Sequence, residues 1–175
     1  MHSRRRGFTN LSMTESEHPD SQQRLRKFLV VVDQTPESLK ALRFAARRAQ
    51  RTSGAVSMLS VIEPEEFQHW QSVQDAMRAE AIQNAEARLQ ALVEEVKALS
   101  GVSPDYAIRE GVKRDQVAEH IQADQDISIL VLGASTESDG PGPLVAAITR
   151  PGSRFPLPVT IVPGDMSVEE IDALC

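Results

Sequence analysis

Two short apolar runs constrain this chain most: Phe28-Leu29-Val30-Val31-Val32, ending at Asp33, and Ile127 to Leu132, ending at Gly133. Each is too short for a buried helix, and neither gives the alternation of a half-wet strand. Both therefore read as strands buried on two faces, the mark of a parallel sheet between helix layers. Ala55 to Ile62, rich in Val and Met, is a further strand, broken by Glu63-Pro64-Glu65-Glu66. Pro104 to Arg109 is a weaker strand with Tyr106 and Ile108 on one face, and Leu157 to Val162 is the fifth.

Helical patterns fill the gaps. Thr35-Pro36-Glu37 spells a helix start, with Thr35 as N-cap, Pro36 in the first position and Glu37 favourable to the dipole. Leu39, Leu42, Ala45, Ala46 and Ala49 make its apolar stripe, and Gly54 closes it. Residues 72–99 are the longest helical pattern, with Ile82, Ala85, Leu89, Leu92, Val93, Val96 and Leu99 at steps of three and four. Asp115 to Ala123 and Leu144 to Thr149 are shorter helices, and Ser167-Val168-Glu169-Glu170 is a capping-box spelling before Ile171 and Leu174. The order βαβαβαβαβ predicts an α/β fold: an open parallel five-stranded sheet with helices on both faces, Rossmann-like, joined by right-handed crossovers. The organisation expected is a disordered tail over 1–25, one domain over 26–164, and a short helix or tail over 165–175.

Composition excludes several classes. Net charge is −6, with six basic and three acidic side chains in residues 1–27, leaving 13 basic against 22 acidic in the rest. So acidic a body is a poor polyanion binder, and 4% aromatics offers few stacking platforms, so no nucleic-acid partner is expected. Cys175 is the lone cysteine, which rules out an internal disulfide and leaves a thiol able to link two chains on oxidation. Ser3-Arg4-Arg5-Arg6-Gly7-Phe8 starts like a twin-arginine signal, but residues 9–15 supply no apolar segment. No run approaches a membrane span, so a cytoplasmic location is expected, and Met13 is an alternative start. His2, His18, His69 and His120 show no metal-ligand spacing, and no nucleophile elbow, Walker loop or paired catalytic carboxylates are visible, so neither a metal nor catalytic residues are expected.

The strand order, headed by Val31-Val32-Asp33-Gln34-Thr35-Pro36-Glu37-Ser38 and followed late by Val131-Leu132-Gly133-Ala134-Ser135, resembles the universal stress protein family over roughly residues 27–163. Asp33, Thr35 and Ser38 fill the family's places after the first strand. Ser60-Val61-Ile62 matches the end of its second, and Pro158-Val159-Thr160-Ile161-Val162 its last. The resemblance implies a sheet of the adenine nucleotide alpha hydrolase type, a stress-response role through binding rather than turnover, and a homodimer paired through the last strand at Val159, Ile161 and Val162. It also implies nucleotide-binding candidates at Val31, Asp33, Val61, Gly133, Ser135, Thr136, Gly140 and Gly142.

ATP-binding members carry G-x2-G-x9-G-[ST] after the fourth strand, where glycines and a helix N-terminus offer N–H groups to phosphates. Here the first glycine is Gly133, the second place is Thr136, and the Gly-Ser pair falls on Ala146-Ala147. Gly152-Ser153 lies too close to Pro158 for an intervening helix, and Gly140 and Gly142 each precede a proline, which donates no N–H. ATP or AMP remains a possible ligand, with triphosphate binding expected to be weak or absent.

Several residues have two readings. Asp33 contacts ligand or caps the N–H groups of residues 35–38. Gly133 approaches a ligand or simply turns the strand end. Ser135, Thr136 and Ser138 bind an anion or form a polar surface loop. Phe67 and Trp70 wall a pocket beside the long helix or close a core edge. Two alternative functions stand beside the binding role: an ATP- or AMP-binding regulator or slow ATP hydrolase using Gly140-Pro141-Gly142-Pro143, and a partner-protein interaction module.

Overall fold

A computed structural model describes residues 25–63, 71–136, 140–152 and 155–175. The expectations for the tail, Met13, Phe67, His69, Trp70, Ser138 and Ser153 lie outside the described residues. The elements run β1 (Lys27–Val31), α1 (Pro36–Thr52), β2 (Ala55–Ile62), α2 (Gln71–Ser100), β3 (Asp105–Glu110), α3 (Lys113–Ala123), β4 (Ile127–Ala134), α4 (Pro143–Thr149), β5 (Val159–Pro163) and α5 (Val168–Leu174). The five strands form one all-parallel sheet in the order β3-β2-β1-β4-β5.

Alternation along each strand divides the core in two. Phe28, Val30, Val32, Val56, Met58, Val131 and Val162 face α1, α2 and α5. Leu29, Val31, Leu59, Leu130, Leu132 and Ala134 face Val117 and Ile121 of α3 and Val145 and Ile148 of α4. Leu29, Val30, Leu59, Leu130 and Val131 are each fully buried, and burying one such side chain is worth about 1.5–3 kcal/mol. No helix among the described residues is long and apolar enough to cross a membrane.

Four details depart from the sequence expectation. β4 does not stop at Gly133; it continues through Gly133 and Ala134, which pair with Val162 and Pro163 of β5. Second, the left-handed residue that ends α1 is Ser53 (φ 52°), not Gly54. Gly54 serves a different need, because a Cβ there would come within 2.5 Å of the Arg26 carbonyl. Third, of the stripe expected on α2, Ala85, Leu89, Leu92 and Val96 are buried but Ile82 is only half-buried. Fourth, Val162 turns its side chain into the core (2% exposed) rather than along a dimer edge, while Ile161 is exposed.

The C-terminal segment is fastened to α1. Ser167 and Glu170 close a capping box at the start of α5. Arg43 grips Asp172 through both carboxylate oxygens (2.8 and 2.5 Å), and Arg47 adds two bonds at 3.2 Å. Ile171 is fully buried against the α1 face, and Cys175 packs beside it with its Sγ facing the Phe44 carbonyl at 3.6 Å. The thiol expected to be able to link two chains is thus buried, and α5 would have to leave α1 before Cys175 met another molecule.

Candidate functional site

From β1 the sheet continues to β2 and β3 on one side and to β4 and β5 on the other. A crevice opens where such an order reverses, outside the carboxyl ends of β1 and β4. Asp33 follows β1 into this crevice, and its local bonds explain its place. Its Oδ1 accepts from the Thr35 N–H (3.0 Å) and from the Thr35 hydroxyl (2.6 Å). Thr35 Oγ1 in turn accepts from the Ser38 N–H (3.4 Å), and the buried Ser38 hydroxyl donates to the Thr35 and Asp33 carbonyls (2.8 and 3.2 Å). Of the N–H groups of residues 35–38, Asp33 thus takes that of Thr35, while Thr35 itself is the N-cap that takes that of Ser38. The second oxygen of Asp33, Oδ2, faces the ammonium of Lys113 at 3.6 Å. Burial pushes the Asp33 carboxyl up, but the Thr35 bonds, Lys113 and Ser38 outweigh it and hold the group below its ordinary value. An ionised, hydrogen-bonded carboxylate of that kind is a good acceptor and a poor proton-abstracting base.

Two clefts meet at Asp33. The smaller, of about 90 Å³, is lined by Val31, Asp33, Thr35, Glu37, Lys113, Gly133 and Gly142 among others. The larger, of about 460 Å³, runs between the ends of β1 and β2 and the exposed side of α2, and is lined by Asp33, Gln34, Ser60, Val61, Glu80, Asn84 and Arg88 among others. Small-molecule sites ordinarily occupy ~300–1,000 Å³, so the groove has room for a nucleoside and the cleft beside it does not. Another groove, between α3 and Phe155-Pro156, shares no residue with either.

Of the nucleotide candidates, Val31, Asp33, Gly133 and Gly142 come together in the small cleft, and Val61 joins Asp33 in the groove. Ser135, Thr136 and Gly140 line neither: the Ser135 N–H donates to the Pro141 carbonyl at 3.3 Å, Thr136 is exposed, and Gly140 takes φ 98° in open space. Gly133 answers to packing. A Cβ there would overlap the Glu37 carbonyl and lie 2.9 Å from the Ser38 nitrogen, so glycine is what lets the first turn of α1 sit on β4. After Pro141, Gly142 is the N-cap of α4 with no side-chain cap bond, Pro143 carries no N–H, and α4 has only seven residues.

The sequence marks Glu37 only as part of a helix start and does not mark Lys113, yet both line the small cleft. Lys113 opens the helix after β3, and in a parallel sheet each such helix start lies at the same carboxyl edge as Asp33 and Gly133. That topological rule was the available signal. Among the described residues no group of three or more His, Cys, Asp or Glu side chains could hold a metal ion.

Residues 24–163 match the model of the universal stress protein family. The fold is similar to that of a universal stress protein from Lactobacillus plantarum (TM-score 0.68, 18% identity, covering 78% of this chain and 97% of that one). It is similar also to a universal stress protein solved in complex with cAMP (TM-score 0.55, 17% identity, 78% and 95% covered). A family protein from Arabidopsis thaliana with AMP bound shares it too (TM-score 0.53, 15% identity, 83% and 94% covered). No curated protein matches the chain in sequence.

Proposed function

The chain belongs to the universal stress protein family, and from that premise we propose that it is a stress-response protein acting by binding, as a homodimer, with an adenine nucleotide as ligand and little affinity for a triphosphate. The observation that carries this reading is the pair of clefts meeting at Asp33: a groove of about 460 Å³ reaching Val61, beside a cleft of about 90 Å³. The groove suits a base and ribose. The cleft, at about 90 Å³, is small for three phosphates. Relatives of the same fold carry AMP or cAMP, which supports a nucleotide here. Asp33 and the Thr35 hydroxyl are engaged with each other at the start of α1, and the ionised Asp33 is a poor base, which supports binding without turnover.

The dimer reading rests on β5, the outer strand of the sheet, whose far edge pairs with no strand among the described residues. Exposed Ile161 lies along it. Pairing with a second copy would satisfy an edge that otherwise invites aggregation. Calorimetric titration with adenosine, AMP and ATP tests the ligand, and tight ATP binding would refute the weak-triphosphate reading. Sedimentation tests the assembly, and a monomer at high micromolar concentration would remove the dimer.

A further inference from the structure

We infer that Lys113 is the anion anchor of this site and that the site is built for a nucleotide carrying a single phosphoryl group. The inference rests on the nucleotide reading above and deepens it.

The side chain of Lys113 is 22% exposed and reaches the small cleft, which the start of α4 also lines, from the start of α3. Its ammonium lies 3.6 Å from Asp33 Oδ2, close enough for attraction and too far for a hydrogen bond, and it makes no hydrogen bond among the described residues. An ammonium has three donors. They remain for an acceptor brought into the cleft. Asp33 can give up its share of that charge because its Oδ1 keeps both bonds from Thr35.

Charge and size fix how many phosphates fit. Among the described residues Lys113 is the one cation lining the small cleft, against the carboxylates of Asp33 and Glu37. In the adjoining groove Arg88 stands against Glu80 and the shared Asp33. One phosphoryl group on Lys113 brings that cleft's cation a partner. A triphosphate would set several further negative charges among these carboxylates, with no second cation in the small cleft to receive them. Pro141 and Pro143 add no N–H, and the Ser135 N–H is already bonded to Pro141. A charge-assisted bond to Lys113 thus does the work that backbone glycines do in a phosphate cradle.

The test is calorimetric titration of nucleotide-free protein with adenosine, AMP, cyclic AMP and ATP, on the wild type, Lys113→Gln and Lys113→Arg. AMP or cyclic AMP should bind at least tenfold tighter than adenosine, with ATP no tighter than AMP. Lys113→Gln should lower affinity for the monophosphates by roughly 10–100-fold, the worth of a charge-assisted bond, and leave adenosine unchanged. Unchanged adenosine binding also shows that the variant is folded. Lys113→Arg should recover much of the loss. ATP binding tighter than AMP, or AMP binding indifferent to Lys113→Gln, overturns the inference while the nucleotide reading stands. Failure of adenosine and every nucleotide to bind the wild type overturns both.

Discussion

Gly133→Ala separates the two duties a glycine can have at this position. The added methyl would overlap the Glu37 carbonyl and lie 2.9 Å from the Ser38 nitrogen. Both obstacles are backbone, so no side-chain rotation relieves them; the first turn of α1 must move off β4. That movement would disturb the bonds holding the turn, from Thr35 and Ser38 to Asp33 and to each other. Overpacking of a tight core costs about 1–3 kcal/mol, and a purely backbone clash belongs at the upper end. About 3 kcal/mol is a large share of the ~5–15 kcal/mol that stabilises a domain. At ~2–4 °C per kcal/mol for a chain of this size, the melting midpoint should fall by about 6–12 °C. Thermal and urea unfolding followed by far-UV circular dichroism read this directly, with nucleotide titration alongside. A midpoint within ~2 °C of wild type, together with lost nucleotide affinity, would refute the packing argument and return Gly133 to the ligand.

Other perturbations have equally definite signs. Asp172 is held down to about 2 by Arg43, with Arg47 adding to it, against the opposing effect of burial, so its contribution is complete above its ordinary value of 3.8 and is lost as pH falls toward 2. Asp172→Asn should remove that part of the acid lability and cost about 1 kcal/mol at neutral pH, since both partners sit near solvent, measured as the urea midpoint at pH 7 and pH 3. His120 is pushed below 6.5 by burial and by Arg109, with Lys27 acting the same way and Asp124 and Asp105 opposing. Its Nε2 is buried without a partner among the described residues, so folding disfavours the proton and stability should decline as pH drops below 6.5; His120→Gln should flatten that slope between pH 7.5 and 5. Ser53→Gly relieves a left-handed residue and should gain about 0.5–1 kcal/mol, read as a raised melting midpoint.

Much of this architecture is legible in the residues because the patterns are local. Phe28–Val32 reads as a doubly buried strand and lies within or just past β1, and Thr35-Pro36-Glu37 marks the start of α1 to the residue. Ser167 and Glu170 announce the capping box of α5. What escapes notice depends on contacts between distant segments. Gly133 looks like a strand-ending or ligand-facing glycine until α1 is placed against it. Val162 has the composition of an edge residue, but its side chain points to the α1 layer because the alternation of β5 puts it there. Lys113 sits in an ordinary polar stretch, and only the return of every crossover to one sheet edge brings it to Asp33. Ile82 shares the three-and-four spacing of the buried part of α2 yet is only half-buried, since periodicity states which face is apolar and not what covers it.

The seat of α1 has a consequence for how this molecule could be rebuilt. Gly133 and Gly164 both lie where a Cβ would crowd backbone, Gly164 within 2.7 Å of the Ala134 carbonyl and 3.2 Å of Glu37 Cβ. The demands of the scaffold thus reach from β4 through Ala134 and resume after β5 at Gly164. Thr136, Ala146 and Ala147 lie outside them, exposed or half-buried. Apart from the buried Val145, the described residues between 135 and 147 then behave as exchangeable positions, where glycines and hydroxyls could be grafted while the sheet and its first helix remain as they are. The α4 side of the site is thus separable from the fold, whereas Asp33, Gly133 and Lys113 are held by it.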